Sequence, residues 1–231
     1  MKKEYAEYIL AKTKQDYNLI GEEFSRTRRA PWEEIKFLAD DYLSVGDKVL
    51  DIGCGNGRLL EFLLKITADY TGIDNSEKLI EVARKKYPAA KFQTADGLKL
   101  PFPDNYFDII YSIAVLHHIP SKELRLRFCE EAKRVLRHGG LMILTVWKFH
   151  QLNDFARLLK YAALKLIGCS QLDFGDIWEP WGRKTERYYH WFSQNELKNL
   201  VSGAGLKIRR IGGVKNKRGN RQNYFLVAEK S

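Results

Sequence analysis

The 231-residue chain has little cysteine, methionine or proline: three Cys, two Met and six Pro. Cys54, Cys129 and Cys169 are too few and too scattered for a disulfide frame. No Cys-x-x-Cys pair offers a zinc site, so no metal is expected. Long apolar runs are missing as well. The opening MKKEYAEYILAK has basic residues without an apolar stretch, which argues against a signal peptide. The most apolar helical candidate, 155–168, contains Arg157, Lys160 and Lys165 and is too short to span a bilayer. The expectation is a soluble, cytoplasmic protein with no membrane partner. No internal repeat, low-complexity tract or Pro/Gly/Ser linker demands a domain break.

Negative charge is scarce at one end. The formal net charge is +10. Residues 183–231 carry most of it: twelve Lys and Arg face only Glu186, Glu196 and Glu229, a local surplus of +9. Arg26, Arg28 and Arg29 form a second basic cluster. Cationic side chains near phosphates release counterions, so such stretches suit a polyanion, although a solvated basic face also keeps a protein soluble.

Apolar periodicity gives helices at 3–16 and 31–43, then an alternation: strand 47–52, helix 57–66, strand 69–73, helix 76–87, strand 90–94, strand 106–112, helix 121–136, strand 140–147. Short apolar strands alternating with amphipathic helices imply a parallel, doubly wound sheet. An amphipathic helix at 153–167 and a turn-rich stretch follow. Ser193-Gln194-Asn195-Glu196 then reads as a capping box opening helix 193–203. Strands 205–212 and 222–229, joined by the basic 212–220, read as an antiparallel hairpin. The expected fold is α/β with a seven-stranded mixed sheet. A single domain is expected, with N-terminal helices over 1–44, a core over 45–147 and an insert plus closing hairpin over 148–231.

The strongest chemical signal is VLDIGCGNGRLL, 49–60. An apolar strand ends near Asp51, and Gly53, Gly55 and Gly57 alternate with Cys54 and Asn56 before a helix. Glycine permits the tight turn and close backbone approach of a ligand, while the helix start offers free N–H groups. Asp74, followed by Asn75, ends the next strand, where a carboxylate can accept ribose hydroxyls. Asp96, followed by Gly97, comes after the third strand, where it can accept from an adenine amino group. All three sites fall at C-terminal strand ends, where open α/β sheets bind ligands. The plain alternative is a tight connection and two turn residues.

The loop lacks the GxGxxG dinucleotide spacing. Its acidic-x-Gly-x-Gly-x-Gly pattern resembles the class I S-adenosylmethionine-dependent methyltransferases, which have a Rossmann-like fold. That resemblance implies Asp51 and the 53–57 backbone at the methionine part of S-adenosyl-L-methionine, Asp74 at the ribose and Asp96 at the adenine. Further segments, FSRTRRAPW (24–32), SIAVLHHI (112–119), VLRHGGLMILTVWKFHQ (135–151), Pro180-Trp181 and ERYYHWF (186–192), resemble the tRNA wobble-uridine carboxymethyl methyltransferases. The pattern departs at Arg29-Ala30, at Glu33 and at Gln222-Asn223-Tyr224. The resemblance implies esterification of a carboxymethyl group on C5 of wobble uridine 34 in the tRNA anticodon stem-loop. It also implies a small zinc-binding activator protein, docked where the strand near 90–94 lies at an open sheet edge.

A carboxylate is ionised near neutral pH, so no catalytic general base is expected. The substrate candidates are Arg28 and Arg187 as clamps for an acid or phosphate, His117 above the sheet, Trp147 as an aromatic wall, and Tyr188 and His190 beside them. Each has a plainer reading. Arg28 pairs with Glu22 or Glu23, the His117-His118 pair sits in the core, Trp147 packs under a helix, and Tyr188 and Tyr189 are core-facing strand residues. Rival functions are a small-molecule methyltransferase acting on a quinone-like or carboxylic acid acceptor, and a non-catalytic RNA-binding subunit.

Overall fold

A computed structural model describes residues 1–66, 69–149 and 151–231; His150, within the 135–151 segment, lies outside the described residues. The strands are β1 (Lys48–Ile52), β2 (Asp69–Asp74), β3 (Lys91–Thr94), β4 (Phe107–Ile113), β5 (Leu136–Trp147), β6 (Asp176–Trp181), β7 (Thr185–His190), β8 (Lys207–Lys215) and β9 (Gln222–Glu229). The helices are α1 (Lys3–Thr27), α2 (Phe37–Asp40), α3 (Leu60–Leu63), α4 (Glu77–Lys86), α5 (Lys122–Val135), α6 (Leu152–Leu166) and α7 (Gln194–Gly203).

Seven strands form one sheet in the order β3-β2-β1-β4-β5-β9-β8. The first five run parallel, and β9 is antiparallel to both β5 and β8. Period-two side-chain alternation sorts the strands onto two cores. Leu50, Ile110, Met142, Leu144 and Leu226 pack on one face with Phe128 and Ala132 of α5 and Leu197 and Val201 of α7. Val49, Ile109, Ile143 and Val227 pack on the other with Trp32, Leu38, Phe62 and Ile80. Covering both faces is what makes these strands read as continuous apolar runs. The chain works outward from β1 to β3 and then returns to β4, so the sheet's switch point lies between β1 and β4.

Serine caps start three helices. Ser76, Ser121 and Ser193 accept from the backbone N–H of Leu79, Leu124 and Glu196 at 3.2, 3.3 and 3.1 Å, each cap being worth about 1 kcal/mol.

Three expectations change. Helix 3–16 runs on to Thr27 because its inner face turns polar after the first turns: buried Thr13 and Asp16 replace the apolar marks that periodicity follows. The Asp16 carboxylate accepts from Lys12 Nζ at 2.7 Å and from the Thr185 hydroxyl at 2.5 Å, so its burial is compensated. The expected helix 31–43 is a short 3-10 turn over Glu33–Ile35 followed by α2. Helix 57–66 shrinks to α3 and a 3-10 turn over Leu64–Ile66.

The turn-rich stretch after α6 holds a second, two-stranded antiparallel sheet of β6 and β7. Its buried side is tied by Asp176, whose Oδ1 accepts from the Tyr188 hydroxyl at 2.7 Å and lies 2.7 Å from His190 Nδ1. Asp176 Oδ2 accepts from the Asp173 N–H at 2.9 Å, and His190 Nε2 lies 2.8 Å from Glu196 Oε1. Through these contacts the ribbon is fastened to α7 and carries its other side toward the sheet's C-terminal end. Asp176→Ala strands several buried donors at once and is expected to destabilise the protein by about 3–5 kcal/mol in urea unfolding. Asp176→Asn, which keeps an acceptor oxygen, should cost clearly less.

Candidate active site

The loop after β1 is stitched to the end of β2. Gly53 and Cys54 both donate N–H to the Ile73 carbonyl, at 2.7 and 2.9 Å. The Asp74 carboxylate then accepts from the Gly55 N–H and from the Ser76 N–H, each at 2.9 Å, so it holds the loop while keeping further lone pairs toward the cavity. Gly53 has φ +72°, and a Cβ there would collide with the Val115 side chain. Asn56 Nδ2 donates to the Arg28 carbonyl at 3.0 Å, joining this loop to the segment after α1.

The loop borders a cavity of about 160 Å³ at the switch point. Asp51, Gly53, Gly55, Asn56, Asp74, Asn75, Asp96 and Gly97 all line it; Cys54 and Gly57 stand behind it, where Gly57 leaves room for the Phe92 ring. Leu79, Leu98, Ile119 and Phe128 give it apolar walls. Asp51 is buried and accepts from the Tyr70 hydroxyl at 3.0 Å, and burial pushes its carboxyl up to about 7. Asp96 Oδ1 accepts from the Leu98 N–H at 2.9 Å. Three carboxylates, a glycine turn and apolar walls fit a cationic nucleoside: its ammonium relieves the buried Asp51, and its hydroxyl and amino groups find acceptors.

The same cavity also holds positive charge. Arg28, Arg58 and Arg187 line it, with Tyr17, Phe24, Trp32, His118 and Trp147. The Arg28 and Arg187 guanidiniums lie 4.6 and 4.2 Å from the Trp181 ring centroid. Arg58 and Arg221 likewise lie 4.5 and 4.7 Å from the Trp32 ring. Burial and the nearby Arg187 lower Arg28 below the ordinary arginine range, and burial with Arg28 and Arg221 brings Arg58 down to about 10. Glu22 and Glu23 pair with Lys78 and Lys184, so neither takes Arg28. Arg187 does reach Glu179 at 3.3 Å, while its Nε and Arg58 Nη1 are buried without a hydrogen-bond partner among the described residues. Each of these two N–H groups is left with capacity for an acceptor.

Two neighbouring histidines divide the roles expected of one. His117 is fully buried and does not line the cavity. Its Nδ1 accepts from the Trp147 N–H at 3.3 Å, and its ring lies 5.3 Å from that of Trp147 and 5.4 Å from that of Tyr189. It supports Trp147 from below. His118 lines the cavity instead. Burial and Arg187 push its imidazole down to about 3, so it is neutral, with Nδ1–H donating to the Tyr188 carbonyl at 3.0 Å and Nε2 accepting from the Tyr17 hydroxyl at 2.9 Å. Tyr188 and His190 belong to the Asp176 network behind the ribbon and not to the lining. Trp147 borders both this cavity and a second, more open one of about 600 Å³, which also takes in Arg28, Arg29, Trp32, Arg58, Glu179 and Arg221. Sequence reasoning missed Arg58, Tyr17, Trp32, His118, Trp181 and Arg221 as site residues. Arg58 had a signal, following the glycine loop directly.

Residues 50–144 match a family model described as a methyltransferase domain. A tRNA (carboxymethyluridine(34)-5-O)-methyltransferase of Schizosaccharomyces pombe is 32% identical over 94% of this chain and 95% of its own length. This chain belongs to that methyltransferase family. Among solved structures, a SAM-dependent methyltransferase from Methanosarcina mazei superposes with TM-score 0.72 at 26% identity, over 84% of this chain and 96% of the other. The methyltransferase in a complex with the Haloferax volcanii Trm112 methyltransferase activator shares the fold at TM-score 0.70 and 16% identity, over 94% and 97% of the two chains. No helix among the described residues is long and apolar enough to cross a membrane.

Asp51 gives this methyltransferase a pH signature of its own. In the folded protein its carboxyl holds a proton up to about pH 7, whereas in the unfolded chain it ionises near the ordinary carboxylate value of about 4. The unfolded state therefore releases the proton first, and this group's contribution to stability falls as pH rises from about 4 to 7. Comparing urea unfolding at both ends of that window, Asp51→Asn should gain about 3–4 kcal/mol relative to wild type on going to the higher pH.

Proposed function

We propose that this chain binds S-adenosyl-L-methionine and esterifies the carboxymethyl group on C5 of wobble uridine 34 in tRNA. The observation that carries this reading is the mixed charge of one cavity: Asp51, Asp74 and Asp96 line it together with Arg28, Arg58 and Arg187. A cationic cofactor suits the carboxylates and an anionic acceptor the guanidiniums.

When bound, S-adenosyl-L-methionine supplies a methyl group on a sulfonium. Asp51 and the 53–57 backbone hold its methionine part, Asp74 its ribose and Asp96 its adenine. Arg28 and Arg187 orient the acceptor acid, whose oxygen is already anionic at neutral pH and needs no base to attack. Trp147, held from beneath by His117, forms a wall for the uracil ring. His118, neutral and locked between Tyr17 and Tyr188, adds no competing charge. Catalysis is then positioning and exclusion of water.

An activator protein with bound zinc is part of the same proposal, paired along the outer edge of β3. That strand ends the sheet and is four residues long. Arg84 Nε and Nη2 donate to the Phe92 carbonyl at 3.1 and 2.7 Å, so a guanidinium caps the edge, and an incoming strand would displace it. Arg84→Ala should leave the lone chain more prone to aggregate, with co-expression of the activator restoring a monodisperse complex in size-exclusion chromatography.

The reaction is tested by incubating tRNA and methyl-labelled cofactor with the chain, with and without the activator, and digesting the RNA for mass spectrometry. A labelled methyl ester on wobble uridine, released by mild base as esters are, is the expected product. Label confined to small metabolites would assign the enzyme to another acceptor. Arg187→Ala should lower kcat/KM for tRNA at least about 100-fold while cofactor affinity, read by calorimetry, stays within about twofold.

A further inference from the structure

The β8–β9 hairpin treats its cationic side chains in two ways. Arg209 pairs with Glu229 at 2.5 Å and Arg210 with Asp41 at 3.2 Å along β8, and Arg221, at the tip loop, pairs with Glu34 at 2.6 Å. At the same tip, Lys215, Lys217 and Arg218 are exposed and have no ion pair among the described residues. No Asp or Glu occurs between Glu196 and Glu229 to offset them. Three like charges within four residues repel one another, and nothing inside the fold uses them.

The segment that displays them is nonetheless built. Asn216 and Arg221 close it through an N–H to carbonyl bond of 3.0 Å. The Asn216 side chain donates to Asn220 Oδ1 at 2.7 Å and accepts from the Arg221 N–H at 3.1 Å. Gly219 supplies a φ of +72° and donates to the Asn216 carbonyl at 2.9 Å. Arg221 is itself fixed, bonded through Nε and Nη2 to both Glu34 oxygens at 2.6 and 3.0 Å with its guanidinium over Trp32. A closed loop stapled through Arg221 presents its cations at low entropic cost.

Its position says what the cations face. Asn220, Arg221 and Gln222 line the larger cavity together with Arg29 and Trp147. Lys215 pairs directly with Gln222 across the ladder. The bare cations thus adjoin residues that line this larger cavity, which shares Arg28, Trp32, Arg58 and Trp147 with the active-site cavity, and exposed Arg29 lines it too. We infer that Lys215, Lys217 and Arg218 grip the sugar-phosphate backbone of an RNA strand whose target base enters the cavity past Trp147. This rests on the proposed function and deepens it, since it assigns the substrate's docking surface.

The test is binding of a synthetic anticodon stem-loop RNA across a series of salt concentrations, together with tRNA methylation kinetics. Wild type is compared with the triple variant Lys215→Gln, Lys217→Gln, Arg218→Gln and with a charge-matched control, Lys99→Gln, Lys122→Gln, Arg127→Gln, on the α5 side. The hairpin variant should bind at least about tenfold more weakly, and the slope of log affinity against log salt should become shallower by about 2–3, one counterion release per lost contact. Its KM for tRNA should rise, with kcat and cofactor affinity unchanged, and the control should behave as wild type. An unchanged salt slope in the hairpin variant, or an equal loss in the control, would overturn the inference. So would displacement of the RNA by polyglutamate at equal charge concentration, which would assign the surface to an acidic protein. RNA held through the hairpin but never methylated would sink the reaction proposed above and leave this grip standing.

Discussion

Opposed charge inside one cavity is the constraint on which the rest depends. Burying a carboxylate and several guanidiniums within one small space is costly unless each finds a partner. The fold brings the acids from the ends of β1 and β2 and from the loop after β3, and the arginines from the end of α1, the exit of the glycine loop and β7. They do not collapse into ion pairs with one another. Asp51 responds by rising to about 7, and Arg58 by falling to about 10. Both shifts have burial as their largest cause, and both are relieved by a ligand of the right sign. Cation and anion in one cavity are what the proposed transfer from a sulfonium to a carboxylate needs.

The scaffold explains how the two sets of charges are placed. The glycine loop is fastened by Ile73 and Asp74, so the acidic set moves with β1 and β2. The arginine set is assembled from distant parts of the chain. Arg28 follows α1, Arg58 follows the glycine loop, Arg187 lies on β7 and Arg221 enters β9. Trp181 and Trp32 act as shared platforms, each taking two guanidiniums on its ring. Asn56, bonded to the Arg28 carbonyl, links the two sets directly.

Local signals made the acidic set legible and long-range packing hid much of the other. Asp51, Gly53, Gly55, Asp74 and Asp96 sit at strand ends, and strand ends follow from apolar runs. Arg28, Trp147 and Arg187 were readable only through resemblance, since their spacing along the chain says nothing of a common platform. His117 and His118 are neighbours, and no periodicity tells which ring turns to the cavity; the Tyr17 hydroxyl and the Tyr188 carbonyl decide it. The full length of α1 was obscured by Thr13 and Asp16 on its buried face. The β6–β7 ribbon was hidden by Pro180 and nearby glycines, although Trp178, Trp181, Tyr188 and Tyr189 are strand-favouring residues at close spacing.

A crystal structure of the chain with S-adenosylhomocysteine and the free nucleoside 5-carboxymethyluridine tests the opposed-charge cavity most directly. The nucleoside's acid should lie within hydrogen-bonding distance of Arg28 and Arg187, its ring against Trp147, and the cofactor product's amino group beside Asp51. An acid seated away from both arginines, or a cofactor product turned with its amino group toward them, would contradict the account.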